Sequence, residues 1–168
     1  MAWPTSFLTA DIENDGDEDI IAYGSSSTAV ARWIDPVADS ALWSLEPPDS
    51  YSPILYTPHF SDLNSNGFPD LILGLNSRDN GPELHIYEWN GNELANRFTY
   101  SFSDLVSVYY GTTYGLQDVD GDGKQEIIIA KIKSDCDEFT ENRIIVLDDD
   151  LSVLSDTDTK ACIASIPT

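Results

Sequence analysis

Short apolar runs rich in β-branched and aromatic residues recur along this chain, and each is cut off by a polar or glycine-containing turn. The first third reads TSFLTA, DIIAYG, AVARWID and ALWSLEP. The middle reads PILYTPHF, DLILGL, LHIYEWNG and RFTYSF, and the last third TTYGLQ, EIIIAKI, RIIVLDD and a weaker LSVLSD. Runs of this length and composition predict strands and leave no room for helices. The segments SSS, NSRDNGP, WNGNE and DDD supply the turn signals between them. The expectation is an all-β chain built from groups of four short antiparallel strands.

A second pattern lies over the first. DIENDGDEDIIAYG begins at residue 11, DLNSNGFPDLILGL at 62 and DVDGDGKQEIIIAK at 118. Each opens with Asp and has oxygen-bearing side chains at positions three and five. Glycine stands at position six (Gly16, Gly67, Gly123), an acidic residue at nine, and an apolar run follows. The offsets of 51 and 56 residues define an internal repeat. Mutually repelling carboxylates in one tight turn make sense around a hard divalent cation, which takes six to eight oxygens at roughly 2.3–2.6 Å. Glycine at six permits the bend that turns the carbonyl of position seven inward.

The candidate ligands follow from that spacing. In the first turn they are Asp11, Glu13, Asp15, Asp19 and the carbonyl of Asp17; in the second, Asp62, Asn64, Asn66, Asp70 and the carbonyl of Phe68. In the third they are Asp118, Asp120, Asp122, Glu126 and the carbonyl of Lys124. An EF-hand is excluded, because its bidentate Glu at position twelve is here Ala22, Leu73 or Ile129 and no helices flank the loop. About three Ca²⁺ sites are expected, each joining two strands, with the second weakened by its neutral Asn64 and Asn66. The competing reading is that Asp-Gly and Asn-Gly turns are ordinary solvated hairpin connectors.

A period near 50 residues with four strands per unit is the signature of a propeller blade. Blade 1 is expected over about 5–48, blade 2 over 52–103 and blade 3 over 108–159, with 160–168 starting a further strand. The three acidic turns with their following apolar strands resemble the FG-GAP and VCBS repeats of calcium-bound β-propellers, such as integrin α-subunit heads and bacterial surface proteins. AYGSSS, LGLNS and YYGTTYG echo that family's glycine-containing signatures only loosely. The resemblance covers residues 5 to about 159. It implies the fold and the cation, and says little about the biological partner. Since a ring takes four to eight blades, three would leave it incomplete unless the chain is assembled with a second copy, a filament neighbour or the rest of a longer propeller.

Composition narrows the partners. Thirty acidic residues against eight basic ones give a formal charge of −22, the wrong sign for nucleic acid. Bound cations would relieve the resulting self-repulsion; a solvated acidic face accounts for part of the excess in the alternative. No apolar run is long enough to insert in a membrane as a helix. The N-terminal MAWPTSFLTAD has neither the basic nor the apolar part of a signal peptide, so an export signal has been removed or the chain is cut from a longer one. No Asn-x-Ser/Thr acceptor occurs. Cys136 and Cys162 are expected near one rim of the third blade, where a disulfide between them would accord with an oxidising, extracellular setting; two free thiols are the alternative.

Catalytic motifs are lacking, His59 and His85 stand apart, and the paired carboxylates are the turns themselves. The expectation is a non-catalytic, calcium-stabilised extracellular module that mediates adhesion or assembly. The alternative is an accessory or scaffold propeller of an extracellular polysaccharide-active enzyme. Trp33, Trp43, Tyr87, Trp89, Phe98, Tyr100 and Phe102 would then offer a glycan-binding surface, whereas the former reading packs most of them between blades.

Overall fold

The computed structural model describes residues 6–24, 31–35, 40–45, 51–52, 58–77, 81–101, 110–133 and 142–159. All regular structure there is β-strand. The first sheet, in the order β1-β2-β3-β4, contains β1 (Ser6–Ala10), β2 (Asp19–Tyr23), β3 (Ala31–Asp35) and β4 (Ser40–Leu45). In the second, β5 (Tyr51–Ser52) and β6 (His59–Ser61) both pair with β7 (Asp70–Ser77), which continues to β8 (Gly81–Trp89) and β9 (Leu94–Ser101). The third runs β10 (Tyr110–Gln117), β11 (Glu126–Lys133), β12 (Asn142–Leu147) and β13 (Val153–Thr159). Every pairing is antiparallel and, apart from that of β5 with β7, joins strands consecutive in sequence; none of the three sheets closes on itself. These are propeller-like blades in an incomplete array.

Two details depart from the sequence pattern. The expected strand PILYTPHF is observed only as its end, β6, because residues 53–57 lie outside the described residues. The weak run LSVLSD begins as a turn: Leu151 adopts φ 67°, its N–H bonds the Asp148 carbonyl at 2.8 Å, and Asp148 N–H bonds the Ser152 carbonyl at 2.9 Å. The strand starts only at Val153. Leu151 is buried, which explains why an apolar residue occupies a turn.

The chain groups into two compact units, Met1–Asp62 with Asn66–Leu105, and Leu63–Ser65 with Val106–Thr168. In the first, Ile21, Ala31 and Trp33 of the first sheet share a core with Leu71, Leu73, Tyr87 and Leu94 of the second. Fully burying side chains of this size contributes about 1.5–3 kcal/mol each. The aromatic residues work there as packing: Trp33 meets Trp89 edge-on at 5.2 Å between ring centroids, and Trp43 meets Tyr87 at 5.3 Å. Phe98 and Tyr100 stack on one another at 6.5 Å, while Phe102 lies outside the described residues. In the second unit, Ile127 and Ile129 on β11 and Ile145 and Leu147 on β12 are buried. The residues between them, Ile128 and Val146, are half-exposed. That period-two alternation is what a strand with one covered face requires.

Candidate metal centre

Each acidic turn bridges the first and second strands of its sheet, between β1 and β2, β6 and β7, and β10 and β11. The opening aspartate shapes the bend. Asp11 accepts the N–H groups of Asp15 and Gly16, both at 2.9 Å, and Asp62 accepts those of Asn66 and Gly67 at the same distances. Asp118 accepts Gly121 N–H at 2.7 Å and Gly123 N–H at 3.1 Å. The side chain at position five then accepts the N–H of position seven, from Asp17 to Asp15 (3.0 Å), Phe68 to Asn66 (2.8 Å) and Lys124 to Asp122 (2.8 Å). In the third turn Asp120 also accepts Asp122 N–H at 3.0 Å.

Glycine at position six is required by the backbone, with φ of 98°, 91° and 93° at Gly16, Gly67 and Gly123. Position four is left-handed as well, at Asn14 (φ 56°), Ser65 (φ 56°) and Gly121 (φ 86°). The repeat pattern did not include this constraint, although Asn and Gly at that position signal it. Within the first unit the first two turns are neighbours, since the Asn14 amide lies 3.5 Å from where a Cβ on Gly67 would stand.

The turns part company at position nine. Asp19 has both oxygens engaged, one by Ile12 N–H (2.9 Å) and the other by the indole N–H of Trp33 (2.8 Å). Asp70 is fully buried, and both its oxygens face Nη1 of Arg97, at 3.2 and 3.3 Å. Glu126 is also fully buried. Its Oε2 accepts Val119 N–H at 2.6 Å, but its Oε1 has no hydrogen-bond partner, alone among the buried side-chain N and O atoms of the described residues. A buried polar oxygen left so is costly, and such an orphan in a native fold calls for an unseen partner.

Glu126 also belongs to a convergent group. One carboxylate oxygen from each of Asp118, Asp120 and Glu126 lies within 4.8 Å of the others. Among the described residues no other trio of acidic, histidine or cysteine side chains gathers so closely. Three hard oxygen donors, one buried and unpartnered, could hold a divalent cation, with Asp122 and the Lys124 carbonyl next along the chain. The donor set fits the ion. The Lys124 ammonium pairs with Asp149 in the turn before β13, an interaction that raises the lysine pKa and lowers that of the aspartate.

In the first turn the carboxylates crowd without converging to that distance. Partial desolvation and then the charges of Asp19, Asp15 and Asp11 push the Glu13 carboxyl above its ordinary pKa. Asn64 of the second turn is half-buried. Neither histidine joins a turn carboxylate cluster. His59 on β6 is pushed down by burial, and His85 on β8 is tied to Glu83 at 2.9 Å with Asn96 and Thr99 at its other ring nitrogen. Cys136 and Cys162 lie outside the described residues. Sequence reasoning missed Arg97, Glu88 and Trp33 as turn partners, because nothing in the repeat pattern points across the sheet to later strands.

A family model described as FG-GAP-like repeat matches residues 62–129, from the first residue of the second turn through the third turn and into β11. Those residues therefore carry an FG-GAP-like repeat, within an all-β, propeller-like fold. A search of curated proteins finds no match.

Proposed function

We propose that this FG-GAP-repeat chain is a non-catalytic, calcium-stabilised module that works outside the cell or at its surface through adhesion or assembly with other protein chains. The observation that carries the calcium reading is the orphaned Oε1 of Glu126 beside Asp118 and Asp120. A divalent ion there would satisfy a buried charge and reduce the repulsion within a chain of net charge −22. The first turn, with four carboxylates and the strained ionisation of Glu13, is the second calcium candidate. Extracellular calcium concentrations suit sites that staple a fold.

Assembly is supported by the second residue of each turn. Ile12 is seated in the core with Leu71, Leu73, Tyr87 and Leu94 of the following sheet, and Leu63 is fully buried. Val119, their equivalent, is 48% exposed. In a longer array of blades the next blade would seat Val119 as the second sheet seats Ile12. The polysaccharide-enzyme alternative gains nothing from the aromatics, since Trp33, Trp43, Tyr87 and Trp89 are engaged with one another.

Thermal unfolding with and without chelator tests the calcium reading. Two ions at a hundredfold excess over their dissociation constants contribute about 5 kcal/mol, so chelation is expected to lower Tm on the order of 10 °C. Asp118→Ala and Asp11→Ala are expected to shrink that response. Identical melting curves in calcium and chelator would overturn it, and sedimentation of a compact monomer in calcium would overturn the assembly reading.

A further inference from the structure

The third and fourth strands of every sheet slip by one residue at the same register, counted from position nine of the turn. In the first sheet Trp33 pairs with Trp43 and Ile34 with Ala41; in the second Ile86 pairs with Phe98 and Tyr87 with Asn96; in the third Val146 pairs with Ser155 and Leu147 with Val153. The residues left over at the three bulges are therefore equivalent, and they are Leu42, Arg97 and Leu154. A bulge re-aims its extra side chain. The two leucines are 55% and 47% exposed. Arg97 instead reaches the fully buried Asp70 through Nη1, while its Nε lies 3.4 Å from Glu88 Oε2. Glu88 also accepts a hydrogen bond from the side-chain amide of Asn66, the fifth residue of the turn.

We propose that Arg97 is the resident cation of the second turn, so that the second blade is closed without a metal ion. The guanidinium does for Asp70 what a divalent ion does for Glu126, and in that respect the inference rests on the calcium reading of the third turn. It is permanently charged and offers several donors in a fixed plane, which suits it to a buried carboxylate. The rest of the second turn agrees. Asn64 and Asn66 are neutral, leaving Asp62 and Asp70 as its ligand carboxylates, against Asp118, Asp120, Asp122 and Glu126 in the third. A calcium ion entering the second turn would have to displace Arg97 from both Asp70 and Glu88 and would recover only one further carboxylate. The expected three ions per chain become two, with the bulge residue taking the place of the metal in the second blade.

Counting bound calcium per chain by equilibrium dialysis tests this. Asp62→Asn is expected to leave the count of the native chain unchanged, whereas Asp118→Asn lowers it by one. Arg97→Gln is expected to add one ion, and Arg97→Lys to restore the native count. A count that falls with Asp62→Asn, or that stays constant in Arg97→Gln, would overturn the role of Arg97 while leaving calcium binding intact. No bound calcium in the native chain would overturn the calcium reading and this inference with it. Should Arg97→Gln fail to fold, the exposed bulge of the third blade supplies the reciprocal test. Leu154→Arg is expected to weaken calcium binding at the third turn tenfold or more, and unchanged affinity there would sink the proposal.

Discussion

The second and third turns share a backbone bend, a capping aspartate and a buried acidic residue at position nine, yet that residue meets different partners in the two. Asp70 meets Arg97, a side chain that folds with the sheet; Glu126 meets Val119 N–H with one oxygen and nothing with the other. Under the proposed calcium reading, a turn of one shape is finished from inside the chain in one case and from solution in the other. Stability of the first kind is permanent, and stability of the second kind follows the calcium concentration by mass action.

The sharpest way to break this comparison is to remove the two ends in parallel. Asp70→Ala removes the buried partner of Arg97, which is partly exposed and keeps Glu88, and is expected to cost about 1.5–3 kcal/mol, as for hydrogen bonds to charged groups. Urea denaturation should find the same cost in calcium and in chelator. Asp118→Ala is expected to cost about 1 kcal/mol in chelator, where it removes only the cap on Gly121 and Gly123, and several times that in calcium. If both variants respond to calcium alike, the turns are not finished differently.

A change of sign sharpens it further. Glu126→Gln keeps an oxygen for Val119 N–H and replaces the unpartnered oxygen by an amide nitrogen that can donate to Asp118 or Asp120. Metal-free protein is expected to gain about 1–3 kcal/mol from losing a buried, unsatisfied oxygen. The calcium-dependent part of the stability should disappear at the same time. Loss of stability under both conditions would mean that the carboxylate is satisfied in the metal-free fold.

Much of this was legible in the residues because it is local. The acidic turns, their glycines and the apolar strands that follow are written in consecutive positions, so the sheets around β2, β7 and β11 follow from short β-branched apolar runs and turn chemistry. Leu151 misled because an apolar residue beside Val153 reads as strand, whereas its φ of 67° and its burial belong to the turn. Arg97 was illegible for a different reason. Its significance depends on a one-residue slip between β8 and β9, and cross-strand register over 27 residues leaves no trace in a turn motif. The same holds for the Trp33 indole on Asp19.

The smallest expected effect separates the two turns at the backbone. Position four is left-handed in both, but it is Gly121 in the third and Ser65 in the second. A serine at φ 56° carries a cost that glycine avoids, offset in part by the extra freedom glycine has in the unfolded chain. Ser65→Gly is therefore expected to stabilise the protein by less than about 1 kcal/mol. At position six of the third turn, Gly123→Ala meets no atom within 4 Å, so its penalty is one of conformation alone at φ 93°, about 1–2 kcal/mol. Because calcium would hold the third bend in its native shape without relieving that strain, the penalty should appear equally in calcium and chelator. A Gly123→Ala variant destabilised only in calcium would instead mean that the metal-free bend relaxes to a different backbone, and that the third turn acquires its shape from the ion.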